Sequence, residues 1–172
     1  GASYVNTNYG TSNPMYAGAV GADEWRGLLQ FDLSSIPVGA AITAATVTLY
    51  CSYVYNSGYS TTIYLSRLTE QWAEMQATWN SRLTATPWST PGGVYTTTNQ
   101  VGVAVQNSGA AFAWSILNIA KAWAPGAASN FGLLLWNSNG ASATYRKDFE
   151  SSDSTTAANR PKIVVTYTAV PT

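Results

Sequence analysis

Ten consecutive residues, Thr46-Val47-Thr48-Leu49-Tyr50-Cys51-Ser52-Tyr53-Val54-Tyr55, alternate in character with period two. Successive side chains of an extended chain point to opposite sides, so this run reads as a half-buried β-strand. Val47, Leu49, Cys51, Tyr53 and Tyr55 fall on one face, expected to be the core face, with Thr46, Thr48, Tyr50 and Ser52 on the other. Asn56-Ser57-Gly58 supplies turn chemistry, and residues 61–68 read as the antiparallel return of the same hairpin. Further strands are expected over 26–33, 131–136, 143–149 and 162–168. Asn139-Gly140 is a two-residue hairpin signal between the second and third of these. Pro161 opens the last strand, where a missing N–H costs least.

Many short strands punctuated by Gly, Pro and Asn, with little helical periodicity, predict an all-β fold. The expected form is an antiparallel β-sandwich of jelly-roll type with one or two short helical turns. The helical candidates are 69–75 and 116–123, the latter stopped by Pro125-Gly126. At 172 residues the chain is expected to be one sandwich domain over 1–172.

Charge narrows the partners. Only 9% of the residues are charged, against roughly 25% in an average soluble domain. Eight basic and eight acidic residues cancel, and Arg146-Lys147 is the only adjacent basic pair. Nucleic acid is gripped by many Lys and Arg together, so it is not an expected partner. The apolar runs fall far short of the ~20 residues that span a bilayer, so membrane insertion is not expected either. One cysteine, Cys51, cannot form an internal disulfide.

There is no histidine, which removes Ser-His-Asp and Cys-His nucleophile systems. The carboxylate pairs Glu70 with Glu74, Asp23 with Glu24, and Asp148 with Glu150 could in principle serve a glycosidase, but loop capping and surface charge explain them as well. Asp32 is expected to cap the turn at Ser34. No catalytic residue is assigned.

The order of several short motifs resembles the DNRLRE-type domains, which are related to a carbohydrate-binding module family attached to alginate-degrading enzymes. The resemblance runs through Asn8-Tyr9-Gly10 and Met15-Tyr16-Ala17-Gly18, then Phe31-Asp32-Leu33-Ser34-Ser35-Ile36-Pro37. It continues through Glu70-Gln71-Trp72, Thr78-Trp79-Asn80, Asn130-Phe131-Gly132 and Arg160-Pro161-Lys162. Gln30 stands where that family commonly carries a basic residue. The resemblance implies a jelly-roll sandwich, secreted or cell-surface placement, attachment to a larger modular protein, and binding of a polysaccharide or other glycan without catalysis. The alternative function is a structural or adhesive surface protein, such as a filament or virion-appendage subunit, that self-associates through sheet edges.

Within that reading, Trp72, Trp79, Trp88, Trp114 and Trp123 lie in family motifs and are expected to be buried at the ends of the sandwich. The other aromatics are freer to meet a sugar, whose C–H face packs on a ring while its hydroxyls bond to amides and charged groups. On face arguments the ligand-binding candidates are Tyr50, Trp136 and Tyr145, with Arg146, Lys147 and Asn137 as polar companions. No cofactor is required. A structural calcium ion is the one metal that the oxygen donors Asn6, Asp23, Glu24 and Asp153 would suit.

Overall fold

The computed structural model describes residues 4–56, 58–123, 128–139 and 144–169. The strands are β1 (Met15–Val20), β2 (Asp23–Trp25), β3 (Gly27–Leu29), β4 (Ala41–Val54), β5 (Thr61–Leu68) and β6 (Ser81–Leu83). After them come β7 (Thr86–Pro87), β8 (Tyr95–Val105), β9 (Ala110–Ser115), β10 (Leu133–Asn137), β11 (Tyr145–Phe149) and β12 (Lys162–Thr168). Helix α1 (Leu117–Trp123) follows β9, and a 3-10 turn spans Ala157–Asn159.

The strands form an antiparallel β-sandwich. One sheet runs β12-β4-β11-β1-β2, with β9 on the other side of β4, and the second runs β3-β10-β5-β8. β6 and β7 make a separate two-stranded ribbon. Partners in the sheets are mostly distant in sequence, as in a jelly roll, because successive strands cross between layers.

That crossing corrects two expectations. Residues 61–68 do form a strand, β5, but it pairs with β8 and β10 rather than returning along β4. Both sides of β4 are already taken, by β9 on one and by β11 and β12 on the other. Likewise β10 and β11 lie in different sheets, so Asn139-Gly140 does not close a hairpin between paired strands; Gly140 itself lies outside the described residues. The expected strand over 26–33 is shortened to β3, Gly27–Leu29, and Arg26 just before it is the crossover from β2 in the other sheet. The 69–75 segment forms turns rather than helix, while α1 occupies the second predicted site; Pro125-Gly126 lies outside the described residues. The short strands β2, β6 and β7 and the longer β8 and β9 lie outside the expected ranges. The first half of β8 is polar on both faces and half of β9 is Ala, so the apolar alternation is confined to Val101, Val103 and Val105 in β8 and to Phe112 and Trp114 in β9, runs too short to mark a strand by themselves.

The core lies between the sheets. Val47, Leu49 and Cys51 from one layer meet Ile63, Leu65, Leu133 and Leu135 from the other, all fully buried. Each such aliphatic chain contributes about 1.5–3 kcal/mol of burial. The alternation of β4 holds only as far as Cys51. Asp148 pairs with Tyr53 and Phe149 with Cys51, so Ser52 is an extra residue on β4, a β-bulge. Beyond it the faces exchange: Val54 is buried and Tyr53 is 52% exposed. Tyr53 and Tyr55 are therefore outside, contrary to the simple period-two reading. A smaller satellite core, Leu68, Trp88 and Leu134, sits on the outer side of the second sheet beneath the 72–94 region.

Candidate functional site

The β2–β3 crossover opens one flank of the sandwich. A groove of about 1340 Å3 runs there between the N-terminal segment, β1, the crossover and the loop before β6. Small-molecule pockets are typically ~300–1,000 Å3, so this depression is large enough for an extended ligand. Its aromatic lining comprises Tyr4, Phe31, Trp72, Trp88 and Trp123 together with four rings that could meet a ligand, Tyr9, Tyr16, Trp25 and Trp79. Tyr9 is exposed, and the other three are half-buried.

Local structure explains each placement. Asn8 ties down the N-terminal segment: its Nδ2 donates to the carbonyls of Glu74 and Ala77, both at 2.7 Å, and its Oδ1 accepts from Gly10 N at 3.0 Å. This Asx turn aims Tyr9 at the groove. Asn80 Nδ2 donates to Asn6 Oδ1 at 2.9 Å, and Asn80 N donates to Val5 O, holding the Trp79 loop against the same segment.

Glu24 and Arg26 lie two residues apart and pair at 2.8 Å. Arg26 also donates to Gly92 O at 3.1 Å, and its guanidinium lies over the rings of Trp79 at 5.1 Å and Tyr95 at 5.9 Å. Such cation–π contacts fix ring orientation and contribute about 0.5–1 kcal/mol each at partly exposed sites.

Arg146 does similar work behind the groove. On the outer face of the larger sheet it lies 4.3 Å from the Tyr16 ring, 5.4 Å from Trp25 and 5.7 Å from Tyr55. Tyr16 and Trp25 meet edge-on at 6.3 Å. Asp148 accepts both guanidinium N–H groups, at 2.7 and 3.0 Å. Burial raises the Asp148 pKa, with Arg146 pulling the other way. Arg146 thus positions two groove aromatics without lining the groove.

The remaining predicted residues are scattered. Tyr50 is half-buried on the outer face of the larger sheet, away from the groove lining. Trp136 points outward from the second sheet, as Leu133 and Leu135 face the core; it packs on Tyr64 and Tyr95, and its indole N–H donates to Ser66 Oγ at 2.9 Å. Tyr145 packs on Tyr59 at 5.5 Å.

Asn137 is buried, not superficial: its Nδ2 donates to Tyr145 O at 2.9 Å and stitches the two sheets together. Lys147 is also fully buried, because alternation along β11 turns it to the side opposite Arg146; its Nζ donates to Tyr59 O at 3.1 Å. Burial holds its ammonium pKa below the usual lysine range. Arg146 and Lys147 therefore form no joint surface patch.

The oxygen donors considered for calcium are held by different partners. Asn6 accepts from Asn80, Glu24 is paired with Arg26, Asp23 shares β2, and Asp153 lies in the loop after β11, where its N–H donates to Ser151 Oγ. Among the described residues no group of three or more His, Cys, Asp or Glu is placed to hold a metal ion.

One or both members of each carboxylate pair are occupied, while the Glu74 side chain is exposed. Glu70 accepts from the Ser89 N–H and hydroxyl and lies 3.7 Å from Arg82; hydrogen bonding by Ser154 and then by Asn13, which donates to Glu150 at 2.8 Å, lowers the Glu150 pKa. Asp32 accepts from Ser34 N at 2.8 Å, the expected cap. Burial pushes the Cys51 thiol up to about 11, so it is neutral at ordinary pH.

Tyr9, Tyr16, Trp25, Trp79 and Arg26 are not among the ligand-binding candidates read from the sequence. Trp79, like Trp72, is half-buried rather than buried at a sandwich end. Arg26 was read only as the start of a strand. The available signal was the Glu24-Trp25-Arg26 spacing, which puts opposite charges on one side of an extended segment with an aromatic between them.

No curated protein matches this chain. The model of carbohydrate-binding module family 96 matches residues 1–167, nearly the whole length. With a β-sandwich carrying an aromatic-lined flank, the chain belongs to carbohydrate-binding module family 96.

Proposed function

We propose that this chain is a non-catalytic, extracellular polysaccharide-binding module, attached to a larger protein, whose ligand lies along the flank groove. The observation that carries the assignment to this site is the set of rings Tyr9, Tyr16, Trp25 and Trp79 lining one extended depression, Trp79 held by Arg26 within the groove and Tyr16 and Trp25 by Arg146 outside it. Rigid aromatic faces suit the C–H faces of successive sugars, and preorganisation lowers the cost of ordering the site on binding. The non-catalytic part is supported by the lack of histidine, the neutral thiol and the engagement of Glu24, Glu70, Asp148 and Glu150 by other side chains. Stacking and hydroxyl contacts need no metal, so EDTA is expected to leave affinity unchanged.

The test is titration of purified chain against a polysaccharide panel, with Trp25→Ala and Trp79→Ala beside Tyr59→Ala, which is exposed outside the groove. Each groove variant is expected to lose at least about tenfold in affinity, the equivalent of ~1.4 kcal/mol. Equal affinity for all three would remove the groove from consideration. A second reading, self-association, draws on β12, an edge strand carrying Val164 at 60% and Tyr167 at 38% exposure. Concentration-dependent assembly in light scattering without any glycan would favour it.

A further inference from the structure

We infer that the groove takes an uncharged polysaccharide and rejects polyuronates and other polyanionic glycans. This rests on the groove being the glycan site and adds the chemical class of its ligand. The charged side chains lining the groove are Glu24, Arg26, Asp32, Glu74 and Asp153: four carboxylates and a single cation. That cation is committed, to Glu24 at 2.8 Å and to Gly92 O at 3.1 Å, with its flat face on Trp79.

No other basic side chain lines the groove. Arg146 is neutralised by bidentate contact with Asp148, and Lys147 is sealed inside the sandwich. Arg82 is paired with Glu70, and Arg160 donates to Ser154 O. Arg67, Lys121 and Lys162 sit on β5, α1 and β12. All eight basic residues lie within the described part of the chain.

A polyuronate carries a carboxylate on every sugar. Along this groove it would meet a net negative wall, with about 1 kcal/mol of repulsion for each close pair even in water. A neutral glycan escapes that repulsion. It would stack on the four rings and exchange hydrogen bonds with the hydroxyls of Thr7, Ser12 and Ser152, which also line the groove. Neutral contacts of this kind are insensitive to salt, whereas any binding of a polyanion would be screened.

The experiment uses the full chain in affinity electrophoresis and calorimetry. The probes are uncharged polysaccharides (a β-glucan, a galactomannan and a xylan), two polyuronates (alginate and polygalacturonate) and chitosan. Each is tested at about 0.02 M and about 0.5 M NaCl. Saturable binding to at least one uncharged polymer is expected, with affinity changing by less than about twofold across the salt range and no binding to the polyuronates. Glu74 and Asp153 are exposed, so the double variant Glu74→Lys, Asp153→Lys is expected to fold and to gain polyuronate binding at low salt. Wild-type binding to alginate or polygalacturonate that weakens by roughly tenfold or more with salt, or binding to chitosan alone, overturns the inference while leaving the glycan-binding reading intact. Binding to none of the six polymers removes that reading and the inference with it.

Discussion

Among single residues, Lys147 carries the largest conflict between residue type and place. Its ammonium is fully buried and bonded to one backbone carbonyl, so folding disfavours its charged form and lowers its pKa below 10.5. The folded chain therefore binds fewer protons than the unfolded chain between the lowered value and 10.5. Stability should rise with pH across that window, and the penalty should be fully present below it. Lys147→Met keeps the length and removes the charge. At about pH 7 the variant is expected to be more stable by ~1–2 kcal/mol in urea denaturation, with the difference shrinking by about pH 9.5. A variant that is less stable by the same amount at both pH values would show that the Tyr59 contact outweighs desolvation. Alternation along β11 separates Arg146 from Lys147, and the tertiary packing decides that Arg146 goes to the aromatic face and Lys147 to the interior.

For an individual strand, the deciding features are small irregularities. Ser52 is one extra residue in β4, yet it exchanges the faces of everything after it and sends Tyr53 and Tyr55 to the surface. Gly18 in β1 is another. It sits at φ +123°, and a Cβ there would lie 2.0 Å from Tyr145 O, a backbone atom of the paired strand that cannot rotate away. Gly18→Ala is expected to cost about 2–4 kcal/mol of stability, combining backbone strain with displacement of β11. Gly21→Ala, at φ +61° in open space, isolates the strain alone and should cost only about 1 kcal/mol. Equal melting temperatures for the two variants would refute the steric part. Strand existence was readable for β4, β5, β10, β11 and β12, where branched or aromatic residues alternate or cluster. β8 and β9 were not, because the polar first half of β8 and the alanines of β9 leave an alternation of only two or three apolar residues in each, Val101, Val103 and Val105 or Phe112 and Trp114.

For the whole molecule, the two sheets are joined by side chains as well as by apolar packing. Trp114 on β9 is fully buried, lies edge-on to Phe149 at 6.0 Å, and donates its indole N–H across the core to Ile63 O at 2.9 Å. Trp114→Phe keeps most of the apolar volume but leaves that carbonyl without its cross-sheet donor. A loss of about 1–3 kcal/mol is expected in equilibrium unfolding, with an unchanged denaturant slope. A smaller loss would mean that strand pairing alone satisfies Ile63.

By itself the sequence determined the class: low charge, short alternating runs and turn residues at intervals leave an antiparallel sandwich as the way to bury the aliphatic half of each strand. Its motif order also pointed to a carbohydrate-binding family. Only the tertiary structure decided which strands pair and where the groove lies. Alternation specifies a buried face but not the neighbour that covers it, so β4 and β5 read equally well as a hairpin or as members of opposite layers. The groove collects Tyr9, Tyr16, Trp25 and Trp79 from four separate segments, and such an assembly exists only once the β2–β3 crossover has brought them to one flank.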